Sequence, residues 1–227
     1  MKNKLSNAYH DYVFKNGKFV GAFEEMYQNV DDPWHHGNAT AIHYDLALLL
    51  LKRYVNLHRG RVLDLGCGKG AFTARLKGNF PNAKVIGVDV APTAIRKARR
   101  KYGHLGIEFR VLDVRECQRM AEEAGSDFEL TVMFDLMWYV LPEFENIVRH
   151  LGKIVRKGGW LLVNQTFYNP DKQKYGRAVI SSVEDMLKLI PYKVVEIIEI
   201  NRFSNHHAIV LFQVETQEMR NETITSR

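Results

Sequence analysis

The sequence predicts an α/β chain built on a seven-stranded, mostly parallel, doubly wound sheet whose last strand runs antiparallel. Three observations predict it. From about residue 60, short β-rich runs alternate with helix-like stretches, the order that builds a parallel sheet with helices on both faces. The first run, RVLDL, leads straight into a glycine-rich turn, GCGKG, at 66–70. The last two runs are joined only by NRFSN, a hairpin spacing that turns the final strand antiparallel.

The elements follow in order. A polar, aromatic-rich segment opens the chain, and a helix is expected over roughly 38–56. Strands are expected at 61–65, 84–88, 107–111, 128–134 and 159–165, each a short run of apolar and β-branched residues. Helices are expected between them at 70–78, 92–102, 115–124 and 143–156, and a further helix at 182–190. Two β-runs, KVVEIIEI at 193–200 and HAIVLFQV at 207–214, close the sheet. The tail from 216 is polar and is expected to fray.

Bulk properties bound the function. A chain of 227 residues with 46% apolar content suits one domain with a sizeable core. A net charge of +6 favours anionic partners without requiring nucleic acid. The two cysteines, Cys67 and Cys117, stand outside any metal-ligand or disulfide spacing, so no metal is expected. The longest apolar run, LALLLL at 46–51, is too short to span a bilayer, and no signal-like run opens the chain. A cytoplasmic location is expected, with no membrane partner.

The glycine turn decides the ligand class. After Gly66 the chain reads CGKGAFT, which is not a phosphate-binding GxxxxGK[ST] loop. Gly66, Gly68 and Ala71 satisfy GxGxx[GA], so a dinucleotide stays possible on that turn alone. Asp64 lies two residues before the first glycine. A carboxylate there would repel a pyrophosphate and would suit an ammonium group. Asp89 ends the second strand, where a carboxylate can take both hydroxyls of a ribose. Asp113 ends the third, where an acceptor can receive an adenine amino group. A ligand with an amine, a ribose and an adenine fits all three.

With these residues in hand, the sequence resembles a class I S-adenosylmethionine-dependent methyltransferase. VLDLGCGKGAFT, VIGVDVAPTAIRKAR, FRVLDV and FELTVMFDLMWYVL resemble that family's four motifs in order, and LGKIVRKGGWLLV its following helix, turn and strand. The resemblance implies a Rossmann-like methyltransferase domain over 38–215, with 216–227 as a tail. It implies S-adenosylmethionine as cofactor, with Gly66, Cys67, Gly68 and Gly70 forming the turn around its methionine part. It places Asp64 near the ammonium, Asp89 on the ribose with Val90 against the adenine, Asp113 at the adenine amine with Val114 beside it, and the Phe134 backbone facing the ammonium. Asp113 could equally cap the helix after it. Asp89 is expected at a loop edge, where its loss would spare stability.

The acceptor side is read from less regular stretches. The segment 1–37 is expected to act as an N-terminal lid, because DDPWHHGNA at 31–39 precedes the first helix of the domain. Its DPW element resembles that of a subset of small-molecule N- and O-methyltransferases, including the nodulation-factor type. Trp34 is a candidate to cap the cofactor, His36 to act as base and His35 to touch the substrate. Tyr139 stands five residues past the fourth strand, where many relatives carry histidine, and is a candidate to orient the nucleophile. In NQTFYNPDKQKYGR at 164–177, Tyr168, Lys174 and Arg177 are candidates to bind the acceptor. The expected reaction is methyl transfer to oxygen or nitrogen of a small polar metabolite, an anionic one included. RNA is the alternative acceptor; a dinucleotide oxidoreductase or a non-catalytic cofactor-binding scaffold are further alternatives. The basic run RKARRK at 96–101 reads as a solvated helix face.

Overall fold

A computed structural model describes residues 10–15, 18–34, 42–168, 175–176, 178–201 and 205–214. The sheet has seven strands: β3 (Arg61–Leu65), β4 (Lys84–Asp89), β5 (Glu108–Val111), β6 (Phe128–Phe134), β7 (Val155–Tyr168), β8 (Lys193–Asn201) and β9 (Asn205–Gln213). Their order is β5-β4-β3-β6-β7-β9-β8. The first five run parallel, and β9 is antiparallel to both β7 and β8. β3 to β5 step one way from the centre and β6 to β7 the other. The strand order therefore reverses between β3 and β6, which opens a crevice beyond their C-terminal ends.

Helices cover both faces. α3 (Ile42–Tyr54), α4 (Ala71–Asn79) and α5 (Pro92–Tyr102) lie on one, and α6 (Cys117–Ala124), α7 (Phe144–Ile154) and α8 (Val183–Leu189) on the other. The strand interiors are almost wholly apolar because both faces are buried: Leu63, Leu65, Ile86, Val88, Leu130 and Val132 are all fully enclosed. Pro92 opens α5 at a position where its missing N–H costs nothing.

The structure departs from the sequence expectation in three places. β7 begins at Val155 rather than 159, and α7 ends at Ile154, because Val155 pairs with Phe128 and the register shifts before Leu130. β7 also runs to Tyr168, four residues past Asn164, its last residue paired with β6. α6 starts at Cys117 with Glu116 at its N-cap, so Asp113 does not cap it.

The N-terminal segment holds structure that the sequence did not reveal. It contains α1 (His10–Val13), a two-stranded hairpin of β1 (Phe14–Lys15) and β2 (Lys18–Phe19), and α2 (Phe23–Asn29). Glu24 on α2 accepts from the Thr93 N–H at 2.8 Å and from Thr93 Oγ1 at 2.6 Å, which caps α5. Lys97 donates to the Tyr27 carbonyl at 2.9 Å, and Lys69 to the Asp31 carbonyl at 2.5 Å. These contacts seat residues 23–34 on the sheet edge above the glycine turn.

Candidate active site

A cleft of about 1000 Å³ occupies the crevice beyond β3, β4 and β6. Its floor is the turn after β3. Gly66 and Gly68 have φ of +69° and +53°, left-handed values that side chains resist. A Cβ on Gly68 would come within 2.8 Å of Tyr27 Oη. Gly70 opens α4 at φ +78°, and a Cβ there would meet the Phe109 ring at 2.8 Å. Gly70 does not line the cleft; its bare backbone lets Phe109 pack under the turn.

Two buried carboxylates hold this floor. Asp64 is 2% exposed and accepts from Thr73 Oγ1 on α4 at 2.6 Å. Burial pushes its carboxyl up to about 7, against the Thr73 hydrogen bond. Asp89 is 8% exposed, and each of its oxygens takes a backbone N–H: Gly68 at 2.9 Å and Ala91 at 2.9 Å. Burial pushes it up to about 6, with those two donors opposing. Asp89 thus stitches the glycine turn to the start of α5, which corrects the expectation of a dispensable loop-edge residue. Asp113 is half-buried and chelated by Arg115 through its backbone N–H and guanidinium at 2.5–3.0 Å. Burial raises its carboxyl, and Arg115 outweighs this and holds it below the usual range.

The roof comes from the N-terminal segment. The Trp34 indole N–H donates to Tyr27 Oη at 2.9 Å. Tyr139, in the turn after β6, has its ring 5.5 Å from Trp34 and 5.3 Å from Phe23, edge-on to the latter. Phe14 and Phe19 complete an aromatic cluster around it. Among the described residues, no group of three His, Cys, Asp or Glu is placed to hold a metal ion, and no helix is long and apolar enough to cross a membrane.

This floor fits a cofactor with a flat aminoacyl part and a ribose. The chain removes side chains where a ligand would touch the turn, and among the described residues no cationic side chain bonds the buried Asp64. A family profile described as a methyltransferase domain matches residues 62–159, the stretch from the glycine turn through the turn before the core of β7. Over this stretch the chain is similar to S-adenosylmethionine-dependent methyltransferases. It is 28% identical over 138 residues to a ubiquinone biosynthesis O-methyltransferase from Bordetella avium, covering 60% of this chain and 54% of that protein. The chain spans about half the length of the curated relatives it matches. Among solved structures, its fold is similar to the N-methyltransferase NodS from Bradyrhizobium japonicum WM9 (TM-score 0.62, 18% identity, 82% of this chain and 99% of that one). It is also similar to an S-adenosylmethionine-dependent methyltransferase from Clostridium acetobutylicum (TM-score 0.63, 12% identity, 85% and 99%).

Within this methyltransferase fold, most residues singled out from sequence face one cleft. Trp34, Asp64, Gly66, Cys67, Gly68 and Asp89 line it, as do Val90, Asp113, Val114, Phe134, Tyr139 and Tyr168. His35, His36, Lys174 and Arg177 lie outside the described residues. Sequence reasoning missed Tyr27, Asp135, Thr166, His43 and His207, which also line the cleft. Asp135 carried the same signal as Asp89, an acid directly after a strand. The two histidines carried none.

Proposed function

We propose that the protein transfers a methyl group from S-adenosylmethionine to an oxygen or nitrogen of a small polar metabolite. The observation that carries this reading is the convergence of the glycine turn, Asp64, Asp89 and Asp113 on one cleft roofed by residues 23–34. In this reading Gly66, Cys67 and Gly68 cradle the methionine part of the cofactor, Gly70 shapes the turn from below, and Asp64 faces the ammonium. Asp89 takes the ribose, Asp113 the adenine amine, and Val90, Val114 and Phe134 flank them. The cofactor supplies an electrophilic methyl carbon on a sulfonium. The protein supplies orientation and exclusion of water.

Residues 1–37 serve as the lid, with Trp34 as its rigid side chain and Tyr139 beneath it positioned to orient the acceptor. A roof of this kind favours a small acceptor over a polymer. The relatives' names support that choice: a ubiquinone biosynthesis O-methyltransferase and an N-methyltransferase. His35, Tyr168, Lys174 and Arg177 are assigned to the acceptor side, where the basic pair would suit an anionic group.

Calorimetry with S-adenosylmethionine, its demethylated product and NAD, followed by label transfer into small-metabolite and RNA pools, tests the reading. Binding of the first two ligands only, and label in the small-metabolite pool, are expected. NAD binding without S-adenosylmethionine binding, or efficient labelling of RNA, would overturn it.

A further inference from the structure

The wall of the cleft opposite the glycine turn is a polar patch on two antiparallel strands. Because β7 and β9 outrun β6, two opposed pairs project past its end: Thr166 with His207, and Tyr168 with Asn205. All four line the cleft. Thr166 and His207 are each 7% exposed. Buried polar side chains cost free energy unless they are paired, and here they form a chain.

The chain runs from a carboxylate to an imidazole. Asp135 holds a left-handed φ of +48°, an uncommon conformation for a residue with a side chain. It is fixed there by its N–H to the Asn164 carbonyl at 2.8 Å, by the Thr166 N–H to Oδ1 at 2.7 Å and by Asn164 Nδ2 to Oδ2 at 3.2 Å. Thr166 Oγ1 in turn lies 3.0 Å from His207 Nδ1. A hydroxyl has one proton. With His207 Nδ1–H donating to the Thr166 hydroxyl, Nε2 keeps its lone pair; the other tautomer takes the hydroxyl proton on Nδ1 instead. The His207 ring stacks on His43 of α3, centroids 5.3 Å apart at 12°, so its plane is held from a third element. Asn205, two residues earlier on the same face of β9, has a buried Oδ1 with no hydrogen-bond partner.

We propose that His207 is the base that takes the acceptor's proton, that Asp135 acts through Thr166 as its positioning group, and that the acceptor is a hydroxyl. This rests on the methyl-transfer reading above and narrows its acceptor. In the step, the acceptor O–H breaks and its proton passes to His207 Nε2. An oxygen lone pair forms the new O–C bond. The methyl carbon–sulfur bond breaks with both electrons left on sulfur. The imidazolium so formed donates from Nδ1 to the Thr166 hydroxyl, and Asp135 holds Thr166 in place through its backbone N–H. Asn205 Oδ1 offers an acceptor for a second hydroxyl of the same substrate. Among the described residues, Thr166 of β7 and His43 of α3 are set against His207, with Asp135 behind Thr166 and Tyr44 of α3 within electrostatic reach of Asp135; β8 presents Ile200 opposite His207.

The test uses the full chain. Nitrogen-15 ring spectra of the wild type with the demethylated cofactor should show His207 protonated on Nδ1 at neutral pH. Its titration midpoint should fall by about one pH unit in Asp135→Asn. Labelled S-adenosylmethionine is then given with a pool of phenols, catechols and sugar alcohols, and separately with a pool of amines. Label is expected in the hydroxyl pool. His207→Gln should lower transfer by about a hundredfold or more, with cofactor affinity within about twofold. Thr166→Val should lower it by about tenfold and shift its pH profile, and Thr166→Ser should restore both. A His207 ring protonated only on Nε2, or a His207→Gln variant that labels the hydroxyl pool as well as wild type, overturns the proposal and leaves methyl transfer standing. Label in the amine pool alone does the same. A wild type that labels neither pool overturns both readings.

Discussion

Glu24 caps the helix that follows Asp89: one carboxylate takes both the backbone N–H and the hydroxyl of Thr93, 69 residues away. The N-terminal segment is therefore attached to the element that forms one wall of the cofactor cleft. Its hold on that wall rests on a few polar contacts and one aromatic cluster.

Glu24→Ala removes that attachment. A lost cap with a charged acceptor costs about 1–2 kcal/mol, felt mainly by α2. Amide hydrogen exchange over 23–34 should accelerate about tenfold or more, and S-adenosylmethionine affinity should weaken, while the sheet's protection stays as it was. Unchanged exchange in 23–34 with full affinity would show that the segment does not close the cleft.

Asp89→Ala should damage the fold as well as the site. The side chain satisfies the Gly68 and Ala91 N–H groups in a buried turn, and two orphaned donors cost about 2–4 kcal/mol together. Chemical denaturation should register that loss, and cofactor affinity should fall in parallel. Full stability with lost affinity would place Asp89 on the ligand alone.

The buried Asp64 makes a signed pH statement. Its folded value of about 7 lies above the unfolded value of about 3.9. Its contribution to the cofactor-free protein is therefore fully present below about pH 4 and is lost as pH rises through 7. Asp89 and Asp135, both pushed to about 6, act in the same direction. Asp64→Asn cannot ionise, so it should be more stable than wild type above pH 7 and bind S-adenosylmethionine more weakly. Wild-type affinity should rise as pH climbs through 7, with proton release visible in calorimetry below it. Identical pH profiles for variant and wild type would remove Asp64 from the ammonium site.

Gly68→Ala tests the fit of roof to floor. Its φ of +53° adds about 1–2 kcal/mol of backbone strain for alanine, and the new methyl meets Tyr27 Oη at 2.8 Å. Tyr27→Phe removes that oxygen. The double variant should recover part of the single variant's loss, with a coupling of about 0.5 kcal/mol or more in a double-mutant cycle. Strict additivity would mean that Tyr27 does not rest on the turn.

The strands were legible in the sequence because a parallel sheet is buried on both faces, so each strand is a continuous apolar run. RVLDL and FELTVMF coincide with β3 and β6 for that reason. The acids at the strand ends were legible because an ionisable residue bordering such a run has no packing role there, which is why Asp64, Asp89 and Asp113 stood out. The short helix α2 was not legible. Seven residues without a strong apolar stripe do not hold a helix alone, and α2 exists through Thr93, Lys97 and the ring of Tyr139.

The amino-acid order by itself determined the sheet, the glycine turn and the likeness to methyltransferases, because those depend on local periodicity and on motifs a few residues long. Tertiary structure alone decided what faces the turn. Thr166 and His207 lie 41 residues apart and meet only through the β7–β9 register. A one-residue slip there would turn His207 to the opposite face of the sheet. His43 reaches the same ring from α3, and Tyr27 reaches Gly68 from a segment outside the sheet. Side-chain chemistry at such distances is set by pairing register and helix docking, and neither is written in any local stretch of sequence.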